Sequence, residues 1–546
     1  MQKKSLSSIM NTLLKSSLLL FMSCCLCQTV MSKEKISGPN AGKFNSDHPQ
    51  NLNVVYFIPD DAVVFDDYEK RISELMLWSQ DWVKNQMKAQ GYENKTFGLL
   101  TDKSQGRVKI ITVYGKKKIE SYPYLDGGPA VYAEVEDYFN THKQDRGSLY
   151  TLIIIPRYRF KPDGVPDGGP FYGGAKSCFA LDYEGLDLKH LNKPDAAGHL
   201  FGIWFGGLIH ELGHGLGLPH NSQKVSENSH PNMGMALMSA GNMTFGKSPT
   251  FLTAADAAIL NVNPIFNQKI NSNPKKSGEL LIPNADIKKL NTVYDRQKRS
   301  IIVSGRFKSD MGTTGVLYYN DPNVNGEGTG VNRDYNAVTW ASKPIGLDSF
   351  YVEMPIDELF YKDGSPYELK VNLVHVNGAV TEHRYTYHFE NGLPVFDPRE
   401  YRDELNKSGW KVISYNSEEL DGEGTLNGRA IRLIDGNRHT FWHSSWTKRV
   451  ATFPHELVIG TGKAVLARGF SLTQRAGLSR AVKDIEVMTS NDGVSFVSAG
   501  RFTVGNVNGT QYFEFKERMG LKFFKVIVNV AHDGESFAAI AELGLF

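Results

Sequence analysis

Residues 208 to 221 read LIHELGHGLGLPHN, a string that few folds can accommodate. His210 and His214 stand four apart, and an α-helix of 3.6 residues per turn puts both imidazoles on one face, within reach of one metal ion. Two ligands leave a zinc shell half empty. Gly217 is the residue type that takes the left-handed conformation ending a helix, and the reversal carries His220 back toward the first pair. Three imidazoles leave one position open, which is catalytic rather than structural zinc logic: a water there has its pKa lowered to roughly 7. Glu211 is placed to take that water's proton. The competing explanation is a surface helix that happens to be histidine-rich. It accounts for a bare His-Glu-x-x-His but not for the glycine and third histidine that extend it.

HELGHGLGLPH resembles the metzincin zinc-peptidase pattern, whose second mark is a methionine turn beneath the metal. The resemblance implies a peptidase domain with a mixed, twisted sheet and an active-site helix. Met238, in ALMSAG, follows His220 by 18 residues and is the candidate turn methionine. Met233, Met235 and Met243 compete, but small residues flank Met238 on both sides, as a tight turn requires. FLTAADAAILN, from Phe251 to Asn261, reads as the closing helix of such a domain. Astacin-like members carry a tyrosine two residues after the turn methionine; Ala240 stands there, so this turn offers no phenolic ligand.

At 546 residues, several domains are expected. A net charge of +2 with 22 % charged residues and no long run of one sign argues against a nucleic-acid partner. Lys3 and Lys4, an apolar core from Leu18 to Met22 and the cluster Cys24, Cys25 and Cys27 read as an export signal over residues 1–27. Ser23-Cys24 resembles a bacterial lipoprotein signal, with Phe21 where leucine is usual. A lipid-anchored or a secreted bacterial protein is expected, touching a membrane only through that lipid. Residues 28–48 suit a flexible tether too short for an inhibitory prodomain. Cys178, in the apolar run KSCFALDY, is expected to be buried.

The peptidase-like domain is expected over 49–272. NLNVVYFIPD is a buried strand; a helix runs from about Asp67 to Gln90, where Tyr68, Ile72, Leu75 and Trp82 make one apolar stripe. RVKIITVYG is a second strand, Pro129 opens a second helix, and SLYTLIIIPRY is a central strand. GVPDGGPFYGG lacks the Lys-Ser or Lys-Thr of a phosphate loop and leads into Ala175–Tyr183, by resemblance the edge strand that pairs with extended substrate. Asp195 caps the motif helix. His199 lies ~16 Å along it from His210, too far to share the metal.

After a linker from Pro264 to Pro274 the period changes to two. SIIVSGRF, TGVLYYN, SFYVEMPI, ELKVNLVHV and HRYTYHF predict an immunoglobulin-like β-sandwich over 280–395. Over 400–546, AIRLIDGNRHTFWHSSW, PHELVIGTG, IEVMTSNDGVSF and AELGLF resemble the discoidin, or coagulation-factor C-type, family of carbohydrate-binding β-sandwiches. The resemblance implies a calcium ion on Asp435, Asn437, Thr440 and Glu542; a simple turn at Asp435 and Asn437 is the alternative. For a sugar ring, Trp446 is the candidate aromatic plate, with His443, Arg475 and Asn529 as polar partners. Trp442 is expected in the core, and a core place for Trp446 too is the alternative to its role as a plate.

The whole implies an exported, monomeric zinc endopeptidase acting on glycoproteins such as mucins, with a sugar-binding module for targeting. Two rivals are a zinc hydrolase of a non-peptide amide and an inactive carbohydrate-binding surface adhesin. Glu211, intact, argues against the second.

Overall fold

The computed structural model describes residues 44–162, 164, 166–174, 176–268, 281–322, 335–396, 404–507 and 509–546. The expected signal, most of the tether and the second half of the linker lie outside the described residues. The chain divides into two compact units: the first runs as far as Pro219 and adds Ala240–Thr250 and Asn263–Gly278, while the second takes His220–Ser239, Phe251–Val262 and Glu279–Phe546.

The first unit is built on β1 (Asn53–Ile58), β2 (Ile110–Tyr114), β3 (Thr151–Pro156), β4 (Gly173–Gly174) and β5 (Ser177–Asp182), in the order β2-β1-β3-β5-β4. The first three and β5 are parallel, and β1 and β3 are buried at every position, as continuous apolar runs covered on both faces should be. Helix α1 (Tyr68–Ala89) is flanked by Asp67 and Gln90, the expected limits. Helix α2 (Gly127–Thr141) starts two residues before Pro129. The amides of a first helical turn have no partner within the helix, so proline is tolerated there. Two strand expectations are corrected. RVKIITVYG divides, because the Ser73 hydroxyl accepts from the Val108 amide at 2.7 Å and only Ile110–Tyr114 joins the main sheet. The expected edge strand is an edge only in part: β5 pairs with β3 along its length, and after a reversal at Lys176, with φ +73°, β4 pairs with Ser177 and Cys178 on its other side.

A buried ion pair closes this unit. Arg71 on α1 donates to both carboxylate oxygens of Asp182 at 2.8 and 3.1 Å, and Tyr56 donates to the same group at 2.9 Å. Burial raises the Asp182 carboxyl, and these donors pull it down.

In the second unit, helix α4 (Ala254–Val262) starts later than Phe251 because Thr253 and Asp256 cap each other's backbone amides. It packs against a five-stranded sheet in which β9 (Val338–Ser342), β8 (Thr313–Asp321), β11 (Pro366–His375), β12 (Val380–Glu390) and β13 (Leu393–Phe396) are neighbours in that order. A second sheet, β6 (Ala285–Asp295), β7 (Ser300–Ser309) and β10 (Ser349–Pro355), shares its core, which includes Ile301, Val303, Tyr318, Leu369 and Tyr385. The C-terminal part is one seven-stranded sheet over a core that includes Leu457, Phe470, Val526 and Trp442, whose indole N–H donates to Ser417 O at 2.8 Å. Arg438 joins this part to β6, pairing with Asp286 at 3.4 Å and lying 4.0 Å from Glu404.

Arg71→Met leaves Asp182, which has no solvent exposure, without its counter-charge. Chemical denaturation is expected to show a loss of about 3–5 kcal/mol.

Candidate active site

Helix α3 (Ala196–Gly215) begins at Asp195, whose carboxylate accepts from the Gly198 amide at 2.7 Å. Phe201, Phe205, Leu208, Ile209 and Leu212 are buried, so the helix runs through apolar surroundings and presents its polar groups at its C-terminal end. There it stops in a Schellman turn. The Gly217 amide donates to His214 O, the Leu218 amide to Gly213 O, and Gly217 takes φ +91°, which a Cβ would penalise.

The ligand atoms of His210, His214 and His220 all lie within 4.8 Å of one another. His214 Nδ1–H donates to Leu218 O at 2.8 Å, which leaves Nε2 as the metal-facing nitrogen. A neutral imidazole trio with one tautomer already fixed suits zinc, which binds nitrogen at about 2.0–2.1 Å. His199 does not join them; its Nε2 is 3.5 Å from Lys247 Nζ.

Glu211 is mostly buried, and burial pushes its carboxyl up to about 7; the amide of Gly173 on β4 donates to it and offsets part of that rise. Gly173 passes close to the helix. A Cβ there would stand 2.3 Å from Glu211 O and 2.5 Å from His214 Cβ. Buried Cys178 has its thiol pushed well above the usual range by burial and then by Glu211, which keeps it inert.

The segment after α3 is fixed residue by residue. Asn221 donates through its backbone to Met238 O at 3.2 Å and through its side chain to Asp256 Oδ1 at 2.6 Å. Met238 is fully buried in the tight helical turn Leu237–Gly241. The Asp256 carboxyl is pushed up to about 6 by burial, against the donors on Thr253 and Asn221. The Tyr335 ring packs on His220, centroid to centroid 4.0 Å. Sequence reasoning missed Gly173, Asp256 and Tyr335; for Gly173 the glycine pair preceding β5 was a readable signal.

In the C-terminal part, three of the four expected sugar residues come together. Glu423, missed in the sequence, accepts from the Trp446 indole at 3.3 Å and lies 3.7 Å from His443 Nε2 and 3.4 Å from Arg475. Trp446 is 41 % exposed, whereas His443 is buried. Buried Glu419 arranges the loop, accepting from the amides of Gly422, Trp446 and Thr447. Asn529 is the exception. It stands exposed on the long strand Thr510–Ala531 and makes no hydrogen bond to this cluster among the described residues.

The Asp435 loop is also assembled: Asp435 Oδ2 accepts from Thr440 at 2.7 Å, Asp435 Oδ1 from the Asn437 amide at 2.9 Å, and Glu542 from the Gly436 amide at 3.3 Å. Lys407 Nζ lies 2.6 Å from Glu542 Oε1, while Oε2 is buried with no hydrogen-bond partner among the described residues.

Comparisons with known proteins agree with both halves. OgpA from Akkermansia muciniphila, in a catalytically inactive form with an O-glycopeptide (glycodrosocin) substrate, is 34 % identical over 64 % of this chain and 96 % of its own, with a TM-score of 0.58. The wild-type OgpA structure gives 34 %, 63 % and 94 %, with a TM-score of 0.57. Residues 413–543 match the F5/8 type C domain. A sialidase from Micromonospora viridifaciens is 29 % identical over 144 residues, 26 % of this chain; the chain spans only 21 % of that protein's length. Fold and histidine trio together define a zinc metalloprotease. The chain belongs to the family of OgpA, and carries in addition an F5/8 type C domain at its C-terminal end.

Glu211 accepts a proton only when ionised, so kcat/KM should fall toward acid, with the limb below 7 in the metal-loaded enzyme because a bound cation favours the carboxylate. Gly173→Ala displaces the amide that also favours it. The limb is then expected to move to higher pH and kcat to fall about 10–100-fold. Gly174→Ala, where a Cβ meets nothing within 4 Å, should change neither.

Proposed function

We propose that this protein hydrolyses peptide bonds in O-glycosylated peptides and glycoproteins such as mucins, and that its C-terminal module holds it on the glycan. The observation that carries the reading is the histidine trio with a mostly buried Glu211 in a chain that covers nearly all of a relative crystallised with an O-glycopeptide substrate. Zinc held by His210, His214 and His220 supplies Lewis acidity toward the scissile carbonyl and toward a water. Glu211 takes the proton from the attacking water and delivers it to the leaving amine. The Gly173 amide steadies that carboxylate, and by resemblance to the metzincins Met238 would be the turn methionine beneath the metal. Residues 49–272 then make a metzincin-like catalytic domain, 280–395 an immunoglobulin-like sandwich and 400–546 a discoidin-like one. Trp446 offers an exposed aromatic face for a sugar, with Glu423, His443 and Arg475 as its polar border. Even weak glycan contact raises the local substrate concentration toward millimolar.

At the Asp435 loop we propose calcium. Glu542 is pushed up to about 8 by burial, against Lys407, and keeps a buried oxygen without a hydrogen-bond partner among the described residues, a cost that a hard cation relieves. Export to the bacterial surface or the medium, with Cys24 as the lipid-bearing residue in the first case, fits a substrate of this kind.

The test is mass spectrometry of an O-glycosylated peptide and its unglycosylated twin after incubation with the full chain. Wild type should cleave only the glycosylated peptide, and Glu211→Gln, still holding zinc, should be slower by about 10²–10⁴-fold. Zinc-loaded wild type that leaves both peptides intact would overturn the reading in favour of a non-peptide amide.

A further inference from the structure

We infer that the middle sheets are part of the zinc site: through Tyr335 and Ala337 they hold His220 in the orientation a third ligand needs. The inference rests on the zinc reading above.

Two of the ligands stand on α3, which places His210 and His214 on one face, and His214 is oriented further by its bond to Leu218 O. His220 has no such support. Residues 218–221 belong to neither helix nor strand, so the position of its imidazole depends on what touches it. On one side is the Tyr335 ring, at 4.0 Å and inclined by 42°. A ring at that distance blocks the swing about the broad terminal torsion that an unpacked histidine has. Behind it, the Ser222 amide donates to Ala337 O at 2.7 Å, and Ser222 forms a parallel bridge with Val338, the first residue of β9. Tyr335 is itself tied down. Its carbonyl accepts from Ser239 Oγ at 3.2 Å, next to Met238, so one link joins the tyrosine to the methionine turn. The third support, Asn221 on Asp256, ends at α4, whose Ala258 lies against Gly315 of β8. The imidazole is therefore braced by a ring, a strand start and a helix that all build on the same five-stranded sheet. Fixing the orientation of a ligand in this way is commonly worth 10–100-fold in metal affinity.

The experiment measures zinc affinity of the full chain by chelator competition, alongside the melting temperature of the metal-free protein. Tyr335→Ala should bind zinc about 10–100-fold more weakly, with unchanged metal-free melting, and should lose activity at limiting zinc but regain it in excess zinc. Tyr335→Phe keeps the ring and should bind as wild type does. Ser239→Ala, a milder change should Tyr335→Ala not fold, is expected to weaken zinc by a smaller factor. Wild-type affinity in both Tyr335→Ala and Ser239→Ala overturns the inference, as does equal loss in Tyr335→Ala and Tyr335→Phe, which would assign the holding to the hydroxyl. A wild-type chain without zinc affinity would instead overturn the zinc reading itself, so the two failures are distinguishable.

Discussion

A single α-helix can offer one ion only two imidazoles at the proper spacing, and the third must come from chain that has already left the helix. That constraint organises the first half of this protein. Helix α3 has to end within a turn of His214, which requires the left-handed Gly217, and its last turn has to be accessible while its body stays among apolar neighbours. The strand pair β4 and β5 then has to approach closely enough for an amide to reach Glu211, which only a residue without Cβ permits at position 173.

What was legible in the sequence follows from how local each signal is. The histidine spacing, the Asp195 cap and the Gly217 stop are written within 25 consecutive residues, and each lies where the periodicity puts it. The apolar runs of β1 and β3 announce strands covered on both faces. Less legible was anything decided by a partner distant in sequence. Lys109 sits in an unbroken strand-like run, yet a serine on α1 withdraws the neighbouring amide from the ladder. Ala175–Tyr183 reads as an apolar strand, and nothing in its own residues reveals that Gly173–Gly174 will fold back on it. Tyr335 is invisible for the same reason: it is 115 positions from the histidine it touches, in a different periodic pattern.

The carboxylates of the C-terminal part make the converse point. Trp446, His443 and Arg475 stand out as residue types suited to sugars, so the sequence alone names them, and the fold gathers them around Glu423. Glu419 and Glu423 are ordinary acids in a charged stretch, and their work is to collect amide, indole and guanidinium donors from the loops around them. Asn529 shows the limit of residue type alone, since it stands exposed on a long strand with no hydrogen bond to that cluster among the described residues. The Arg71–Asp182 pair was hidden in the same way, each partner looking like a surface charge in its own segment.

The bond from Ser222 to Ala337 spans more than a hundred residues of chain, and that separation has a meaning in time as well as in space. At a synthesis rate of about 5–20 residues per second, the helix with its two histidines exists for roughly ten seconds before the strand that steadies the third has been made. A ribosome-bound or prematurely ended chain therefore carries a recognisable motif but an unbraced site. A hydrolase of proteins that is assembled in this order gives its producer a delay in which the chain can be moved away from the cell's own polypeptides.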